Sequence, residues 1–258
     1  MPEGDALHRA AARLQPLVGH VVHAEAHHGR SRVLGVAEAI DGLRLEAVEA
    51  AGKNLLLTFE GRLVLRSHLR MKGRWRVQRE GGAIVGRPWL VLRAGGFEAI
   101  QWNGPVLQLR RGGHERVARL GADVMADPPD VDAMLARLRA TDPARTVGEA
   151  ILDQRLVAGI GNMWKAEGLF LARVSPWAVL AELSDEEFVR VLEATSLAMR
   201  TGRRGRAVYR RAGRLCGRCG ERIRSWPQGE EARMAYWCPT CQAGSAAPAA
   251  PHPSFRAS

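Results

Sequence analysis

The sequence contains no long apolar run and no segment with the layout of a secretion signal. No apolar stretch among its 258 residues approaches the roughly 20 residues that a membrane-spanning helix needs. The first residues lack the basic and then apolar order of a signal peptide, so we expect a cytoplasmic protein. The sequence also offers no basic amphipathic helix with an aromatic face, which disfavours an anionic membrane surface as the partner.

Lysine is almost absent. Lys53, Lys72 and Lys165 are the only lysines, so arginine carries nearly all of the positive charge. The formal net charge is +11 and the pI is near 10.7, which indicates a polyanionic partner, with nucleic acid as the leading candidate. An arginine bias of this kind also arises in GC-rich genomes, so the bias alone identifies no function. Each remaining lysine is a candidate for a specific role.

The chain has only four cysteines, and they are spaced as two pairs. Cys216 and Cys219 are separated by two residues, as are Cys238 and Cys241, and eighteen residues lie between the pairs. This is the spacing of a tetrahedral four-thiolate zinc site. Disulfides are the weaker alternative for a cytoplasmic protein. Because four protein ligands leave no open coordination position, we expect one structural zinc ion rather than a catalytic one.

The N-terminal half is predicted to be a helix followed by a β-sandwich or barrel. Residues 5–18 carry apolar side chains at helical spacing. The pattern then changes to short β-type runs separated by turn residues, which is typical of a sandwich or barrel. We expect the helix to pack against the sheets and to hold the N-terminal amine in place. The predicted strands are Val21–Ala26, Gly42–Val48, Asn54–Phe59, Arg62–Leu65, Trp75–Gln78, Trp89–Leu92, Glu98–Trp102 and Val106–Leu109.

The C-terminal half is predicted to be helical. The segment Leu120–Asp130, with Asp127-Pro128-Pro129, interrupts the pattern and marks a domain boundary. Capping-box patterns at Thr146/Glu149 and Ser184/Glu187 predict two helix starts. The predicted helices run over 130–139, from 146 to about 156, from the end of a glycine turn to Leu171, and over 188–200.

The last part of the chain combines the cysteine pairs with a basic run. Residues 200–224 hold ten arginines against one acid, Glu221, a run that is most often only a solvated face. Arg233–Trp237 is predicted to form one strand of a zinc-ribbon hairpin, and the tail after Gln242, rich in Ala, Pro and Ser, is predicted to be disordered. The expected domains are 1–120 (catalytic β-sandwich), 130–208 (helical), 209–242 (ribbon) and 243–258 (tail).

A glycine turn, Gly159-Ile160-Gly161-Asn162, lies between two predicted helices. Such a turn presents backbone N–H groups and an asparagine side chain at a helix N-terminus, where donor geometry and the helix dipole favour a phosphate. Alternatively, the glycines let two helices meet closely while Asn162 caps the second one. The two interpretations are compatible, and the turn alone is a weak signal.

The chain begins Met1-Pro2-Glu3. Removal of the initiator Met before Pro2 would leave a secondary amine, which attacks carbonyl or hemiacetal carbons and forms a Schiff base. The adjacent Glu3 is a candidate proton donor or acceptor for that chemistry. Alternatively, Pro2 and Glu3 only lead into a helix that carries Asp5 near its positive end.

These motifs occur in one order: Pro2-Glu3-Gly4, Gly52-Lys53 before a hairpin, the Gly159–Asn162 turn, and four cysteines with Arg233 five residues before the third. Together they resemble the formamidopyrimidine-DNA glycosylase/endonuclease VIII family of base-excision repair enzymes, from Pro2 to about residue 242. The resemblance implies an α+β fold with two domains. An N-terminal helix plus β-sandwich is followed by an all-helical helix-two-turn-helix domain with a C-terminal four-cysteine zinc ribbon.

The resemblance also implies a role for each residue. Pro2 attacks C1′ of the damaged nucleoside, and Glu3 helps to open the sugar and assists elimination. Lys53 contacts the phosphate beside the lesion, while Asn162 and Arg233 grip the phosphates that flank the flipped nucleotide. The implied reaction is base excision followed by β- and δ-elimination from the Schiff base. The implied setting is damaged double-stranded DNA in a bacterial cell, at the nucleoid during repair, with the enzyme as a monomer.

Two stretches bear on the branch of the family. Residues His68–Trp75 resemble the endonuclease VIII branch, with its His…Gly-x-Trp pattern, whereas 110–116 lack the Asp and Phe of the loop carried by 8-oxoguanine enzymes. We therefore expect oxidised pyrimidines to be favoured. Met71 is predicted to fill the gap left by the flipped base, with Arg70 reading the opposite base; the alternative for Met71 is ordinary core.

Two other functions explain parts of the sequence. A non-catalytic zinc-ribbon DNA-binding protein would use the helices and the ribbon, but it has no use for Pro2, Glu3 and Lys53 as a set. A zinc-ribbon RNA-binding accessory protein would explain the cysteines and the arginine run, but not the β-rich half.

Overall fold

A computed structural model describes residues 2–202, 206–245 and 247. In chain order the elements are α1 (Gly4–Leu14), β1 (His23–Glu25), α2 (Gly29–Val33), α3 (Val36–Ile40), β2 (Leu45–Ala51), β3 (Asn54–Phe59), β4 (Leu63–His68), β5 (Arg74–Arg79), β6 (Leu90–Ala94), β7 (Phe97–Trp102), β8 (Val106–Arg111), α4 (Glu115–Ala118), β9 (Ala122–Asp123), α5 (Val131–Arg139), α6 (Val147–Ala150), β10 (Val157–Ala158), α7 (Asn162–Ala172), α8 (Asp185–Arg200), β11 (Arg224–Gln228) and β12 (Arg233–Trp237). Single 3₁₀ turns lie at Gln15–Leu17, Glu60–Arg62 and Leu180–Glu182.

The chain divides into two compact units. The first comprises Met1–Asp130 together with Gln154–Gly161, and the second comprises Val131–Asp153 together with Asn162–Ser258. The short segment 154–161 belongs to the first unit because β10 pairs in parallel with β9. The chain therefore forms α5 and α6 of the second unit and then contributes residues 154–161 to the β-rich first unit.

The first unit is a β-sandwich with a helix packed on it, as the pattern of short strands predicts. One sheet has the order β1-β6-β7-β5 and the other β2-β3-β4-β8, and all neighbouring strands are antiparallel. Leu7 and Leu14 of α1 are buried in the same cluster as Leu57 of β3 and Leu92 of β6. Burial of each such side chain contributes on the order of 2 kcal/mol, so the helix that carries the N-terminus is firmly held.

Two short helices, α2 and α3, lie within the region that we predicted as strands and turns. Each has five residues, and Gly35 separates them with a φ of 62°. Five residues make little more than one turn, which is too short to produce a helical apolar period in the sequence. The prediction missed them for that reason.

The two capping-box predictions have different outcomes. Before α8, Glu187 N–H donates to Ser184 Oγ (3.3 Å) and Ser184 N–H donates to the Glu187 carboxylate (3.0 Å), as predicted. At the other site, Thr146 Oγ1 donates to Glu149 Oε2 (2.6 Å) and caps no backbone group. The predicted helix from 146 to about 156 is wrong beyond its first turn, since only Val147–Ala150 is helical.

The second unit contains α5, α6, α7 and α8 with the β11–β12 hairpin. Helices α7 and α8 pack closely at Gly168, where a Cβ would overlap Thr195 Oγ1. On the side of the hairpin, Phe170 of α7 is buried in one cluster with Cys216, Ile223 and Cys238. The helical part and the ribbon therefore share a core.

Most of the predicted disordered tail lies outside the described residues. In its described part, Ser245 O accepts a hydrogen bond from Ser175 Oγ (2.8 Å), and Ser245 Oγ donates to Glu182 (2.8 Å). No helix in the described ranges is both long enough and apolar enough to cross a membrane.

Candidate active site and metal centre

The start of the chain is joined to the glycine turn within the first unit. Pro2 is half-buried, Glu3 is 2% exposed, and α1 begins at the next residue. Glu3 Oε2 accepts a hydrogen bond from Gly161 N–H (3.1 Å), and Gly4 N–H donates to Gly159 O (3.0 Å). Two motifs about 158 residues apart in sequence are thus parts of one structure.

The glycines of both motifs are required by this contact. A Cβ on Gly4 would lie 2.9 Å from Gly159 Cα, and a Cβ on Gly161 would overlap the Glu3 carboxylate. Gly159 itself has a φ of +99°, which L side chains rarely adopt. The turn therefore lets the start of α1 approach its backbone, in addition to any role towards a phosphate.

Lys53 lies in the turn between β2 and β3 and is half-buried. The preceding residue, Gly52, has a φ of 57°, and its N–H donates to Asp123 Oδ2 (2.7 Å). The same oxygen is 2.9 Å from His8 Nε2 on α1. Asp123 thus links the Lys53 turn, the first helix and β9.

Sequence reasoning missed Asp123 because it lies in the stretch that was interpreted as a boundary. Its partners are 71 and 115 residues away, so no local pattern indicates them. The sequence shows only an acidic residue close to a predicted domain boundary in a strongly basic chain. Such residues are common, so this pattern does not identify a functional residue.

The 68–73 loop presents Met71 and Arg70 to solvent. Met71 is 61% exposed, so it is not part of the hydrophobic core. Arg70 is exposed with a φ of 51°, and its N–H donates to His68 Nδ1 (3.1 Å). Burial, followed by the positive charges of Arg66, Arg70 and Lys53, lowers the pKa of His68 to about 4. His68 is therefore neutral near pH 7 and lies in a positively charged environment.

The stretch that departs from the 8-oxoguanine loop folds as the end of β8, a glycine turn and α4. Gly112 and Gly113 have φ values of 74° and 111°. His114 is buried, with Nε2 3.0 Å from Val64 O. This stretch turns tightly back onto the sheet and includes no aromatic side chain other than this imidazole.

In the second unit, Asn162 and Arg233 are brought together. Asn162 begins α7, and its Nδ2 donates to the carbonyl of Met234, the residue after Arg233 (2.9 Å). Asn162 Oδ1 is buried and has no hydrogen-bond partner among the described residues. The exposed Arg233 guanidinium contacts Glu231 Oε2 through Nε and Nη2, both at 2.9 Å. The arginine therefore has an acidic neighbour within the hairpin.

The four cysteines meet in one place. Their sulfur atoms all lie within 4.8 Å of one another, with Cys216–Cys241 at 3.9 Å and Cys219–Cys238 at 3.4 Å. A tetrahedral site with Zn–S bonds of about 2.3 Å has S···S edges of about 3.8 Å, whereas a disulfide is about 2.05 Å. The donor set and its spacing fit a metal ion and not a pair of disulfides.

The thiols of this cluster differ in pKa. Burial opposes ionisation of Cys216, but backbone N–H groups of Arg218 and Cys219 lower its pKa to about 7. Burial and the neighbouring sulfur atoms raise the pKa of Cys241 to about 12, and burial raises that of Cys238. Four thiolates in contact need a positive ion to offset their mutual repulsion.

A buried polar network that sequence reasoning missed connects the helical part to the ribbon. Lys165 is 1% exposed, and its Nζ donates to Gln228 Oε1 (3.3 Å). Gln228 Nε2 donates to Thr146 Oγ1 (2.9 Å) and Pro176 O (2.7 Å). One of the three lysines is thus a buried structural residue that links α7 to β11.

Comparison with known proteins matches both the β-rich and the helical part of the chain to one family. Residues 1–102 match the formamidopyrimidine-DNA glycosylase N-terminal domain, and residues 120–209 match the formamidopyrimidine-DNA glycosylase H2TH domain. The chain is 39% identical over 266 residues to a probable endonuclease 8 2 of Streptomyces coelicolor, covering 95% of each. It is 31% identical to the formamidopyrimidine-DNA glycosylase of Thermus thermophilus, covering 94% of this chain and 98% of that protein.

The fold is similar to that of solved structures as well. A complex of Lactococcus lactis Fpg with abasic-site DNA superposes with a TM-score of 0.76 at 20% identity, covering 94% of this chain and 100% of the other. With both domain models matched and relatives above 30% identity over nearly the full length, the chain belongs to the formamidopyrimidine-DNA glycosylase family.

Proposed function

We propose that this protein is a bifunctional DNA glycosylase and abasic-site lyase of base-excision repair that uses Pro2 as its nucleophile. Its substrates are oxidised bases in double-stranded DNA, with pyrimidines favoured. The relatives bear the names endonuclease 8, DNA-(apurinic or apyrimidinic site) lyase and formamidopyrimidine-DNA glycosylase, which support this class of activity.

The observation that carries the proposal is the buried carboxylate of Glu3 beside Pro2. Glu3 is 2% exposed and is fixed by the Gly161 N–H at 3.1 Å. Removal of Met1 would place this buried, oriented carboxylate beside a chain-terminal secondary amine, and these are the two groups that Schiff-base chemistry needs. A protein that only binds DNA gains nothing from that arrangement.

The chemistry follows from these two groups. An α-amine has a pKa of about 8, so a substantial fraction of the amine is neutral, and able to attack, at physiological pH. The Pro2 nitrogen attacks C1′ and loses its proton, and the base leaves with the bonding electron pair and takes up a proton. Protonated Glu3 gives its proton to the ring oxygen as the sugar opens to an iminium ion. Loss of a C2′ proton then expels the 3′-phosphate, and a second elimination expels the 5′-phosphate.

The DNA contacts are assigned to cationic and amide side chains. Lys53 and Arg233 offset the negative charge that develops on the departing phosphates, and Asn162 holds a flanking phosphate. The exposed Met71 fills the gap left by the flipped base, and the exposed Arg70 reads the opposite base. The net charge of +11 supports binding to duplex DNA, and one protomer carries all of these residues, so the protein acts as a monomer.

The metal centre is assigned one structural zinc ion. Cys216, Cys219, Cys238 and Cys241 fill all four tetrahedral positions, so the ion takes no part in the reaction. Its contribution is to hold the hairpin that presents Arg233.

Borohydride trapping tests the proposal. The protein with a free Pro2 is mixed with duplex DNA that contains an abasic site, and the imine is reduced in place. We expect a covalent protein–DNA adduct with the native protein. A variant with a short peptide left in front of Pro2 is the matched control and should bind the same DNA without forming the adduct. Binding without an adduct in the native protein would favour the non-catalytic DNA-binding alternative.

A further inference from the structure

The Gly159–Gly161 turn is held by a side chain outside the recognised motifs, that of Gln154. Gly159 N–H donates to Gln154 Oε1 (3.1 Å), and Gln154 Nε2 donates to Ile160 O (3.0 Å). The oxygen and the nitrogen of one amide therefore bind two adjacent residues of the turn.

The turn needs such a partner because its backbone groups are buried. Ile160 is 0% exposed, and Gly159 has the unusual φ of +99°. A buried N–H or C=O without a partner costs free energy comparable to a lost hydrogen bond, so the backbone would rearrange if the amide were removed.

The turn in turn sets the position of Glu3. Gly159 O accepts from Gly4 N–H (3.0 Å), and Gly161 N–H donates to the Glu3 carboxylate (3.1 Å). A Cβ on Gly161 would overlap that carboxylate, so little room is left for adjustment. A displacement of the turn by a few tenths of an ångström would change the orientation of Glu3.

We propose that Gln154 is a positioning residue for base excision, which acts by holding the Gly159–Gly161 turn so that Gly161 orients the Glu3 carboxylate. The inference rests on the proposed function. Glu3 is needed most when the intact sugar must be opened and less when an abasic site already exposes an aldehyde. Loss of Gln154 should therefore slow base excision more than cleavage of a preformed abasic site.

The test compares these two activities in Gln154→Glu and Gln154→Ala. Glu keeps the acceptor for Gly159 N–H and replaces the donor to Ile160 O with a second acceptor, while Ala removes both bonds. We expect single-turnover excision of dihydrouracil from duplex DNA to fall about tenfold, with abasic-site cleavage within about twofold of wild type. The Val124 N–H bond to Ala158 O (3.1 Å) still holds the segment, so the variants should fold.

Gln15→Ala is the matched control. Its amide also donates to backbone oxygens of the first unit, those of Ala11 (3.3 Å) and Val48 (2.9 Å), at the far end of α1. This variant should change the melting temperature without changing the ratio of the two activities. A purely structural role for Gln154 would give the same result as Gln15.

A double-variant cycle tests whether Gln154 acts through Glu3. In a Glu3→Gln background, Gln154→Ala should cause little further loss of excision, since the group that it positions is already disabled. An equal loss in both backgrounds, or an unchanged ratio of activities, would overturn the role of Gln154 while wild-type trapping still supports the proposed function. Absence of trapping in the wild type would overturn both.

Discussion

Asn162 at the start of α7 donates a 2.9 Å hydrogen bond to the carbonyl of Met234 in the ribbon hairpin. The bond ties the helix that offers an asparagine to the strand that offers Arg233, although 72 residues separate the two partners. The two proposed phosphate contacts are therefore held as a pair. Their spacing depends on the ribbon, which we propose is held by a metal ion bound to the four cysteines.

Asn162→Ala and Arg233→Ala should each weaken binding to duplex DNA that carries an abasic-site analogue by about tenfold, because each removes a hydrogen bond to phosphate. Melting temperatures should stay within a few degrees of wild type. The double variant should lose less than the product of the two effects, because the residues share one arrangement. Fluorescence-anisotropy titration at fixed salt measures this. If the loss of affinity in the double variant equalled the product of the two single losses, Asn162 and Arg233 would not be coupled.

Glu231→Gln should increase affinity for duplex DNA about two- to threefold at low salt. The carboxylate of Glu231 contacts Arg233 at 2.9 Å, and a phosphate must displace it or share the guanidinium. Because the pair is exposed, the effect should be small and should fade as salt is raised. Glu230→Gln is the control because it changes the net charge by the same amount. Equal gains in DNA affinity in the two variants would show that the effect comes from net charge and not from the contact with Arg233.

Cys238→Ser should release the metal and unfold the ribbon. Losing one of four thiolates removes most of the affinity for zinc, and the folding of small zinc ribbons depends on the metal. We expect about one zinc per chain in the native protein and almost none in the variant, with loss of lesion binding. Thr240→Ser, between the last two cysteines, should keep both. A fully active Cys238→Ser protein with one bound zinc would refute the assignment.

The free energy of unfolding should fall as the pH is lowered from 6.5 towards 4 because of His68. Burial and the charges of Arg66, Arg70 and Lys53 lower its pKa from 6.5 to about 4, so the unfolded chain takes up a proton in this window before the folded one does. The resulting loss of unfolding free energy is negligible well above pH 6.5 and reaches at most about 3 kcal/mol at pH 4, before solvent screening of this partly exposed side chain reduces it. Urea melts across this range should show a flatter pH dependence in His68→Gln.

His23→Gln is the control for this experiment. The His23 side chain is 78% exposed, so its replacement removes a histidine with little loss of packing and tests whether the effect is specific to His68. An identical slope in wild type and His68→Gln would show that His68 does not titrate in this window.

Oxidised pyrimidines such as thymine glycol or dihydrouracil should be excised faster than 8-oxoguanine opposite cytosine. The expectation rests on the His68–Trp75 stretch and on residues 110–116, which lack the Asp and Phe of the loop carried by 8-oxoguanine enzymes. Met71→Ala should slow excision from duplex more than from single strands, where no gap needs filling. Initial excision rates on a set of duplexes with different lesions test this prediction. If 8-oxoguanine were excised fastest by a clear margin, the assignment to the endonuclease VIII branch would be wrong, while membership of the family would still hold.

The sequence by itself determined the features whose information is local. The strands of the sandwich, the capping box at Ser184 and Glu187, and the two Cys-x2-Cys pairs are set by periods and spacings within a few residues of one another. Physical rules about pleats, helix ends and metal knuckles act over the same distances, so these features could be predicted.

Only the tertiary structure decided the contacts that join distant segments. Glu3 and Gly161, Gly52 and Asp123, and Asn162 and Met234 meet across 158, 71 and 72 residues respectively. Nothing in the local pattern around Asp123 distinguishes it from a solvated acid. The physical reason is that these polar groups lie within hydrogen-bonding distance only where packing of the apolar faces brings their segments together, and that packing depends on the whole chain rather than on any one stretch.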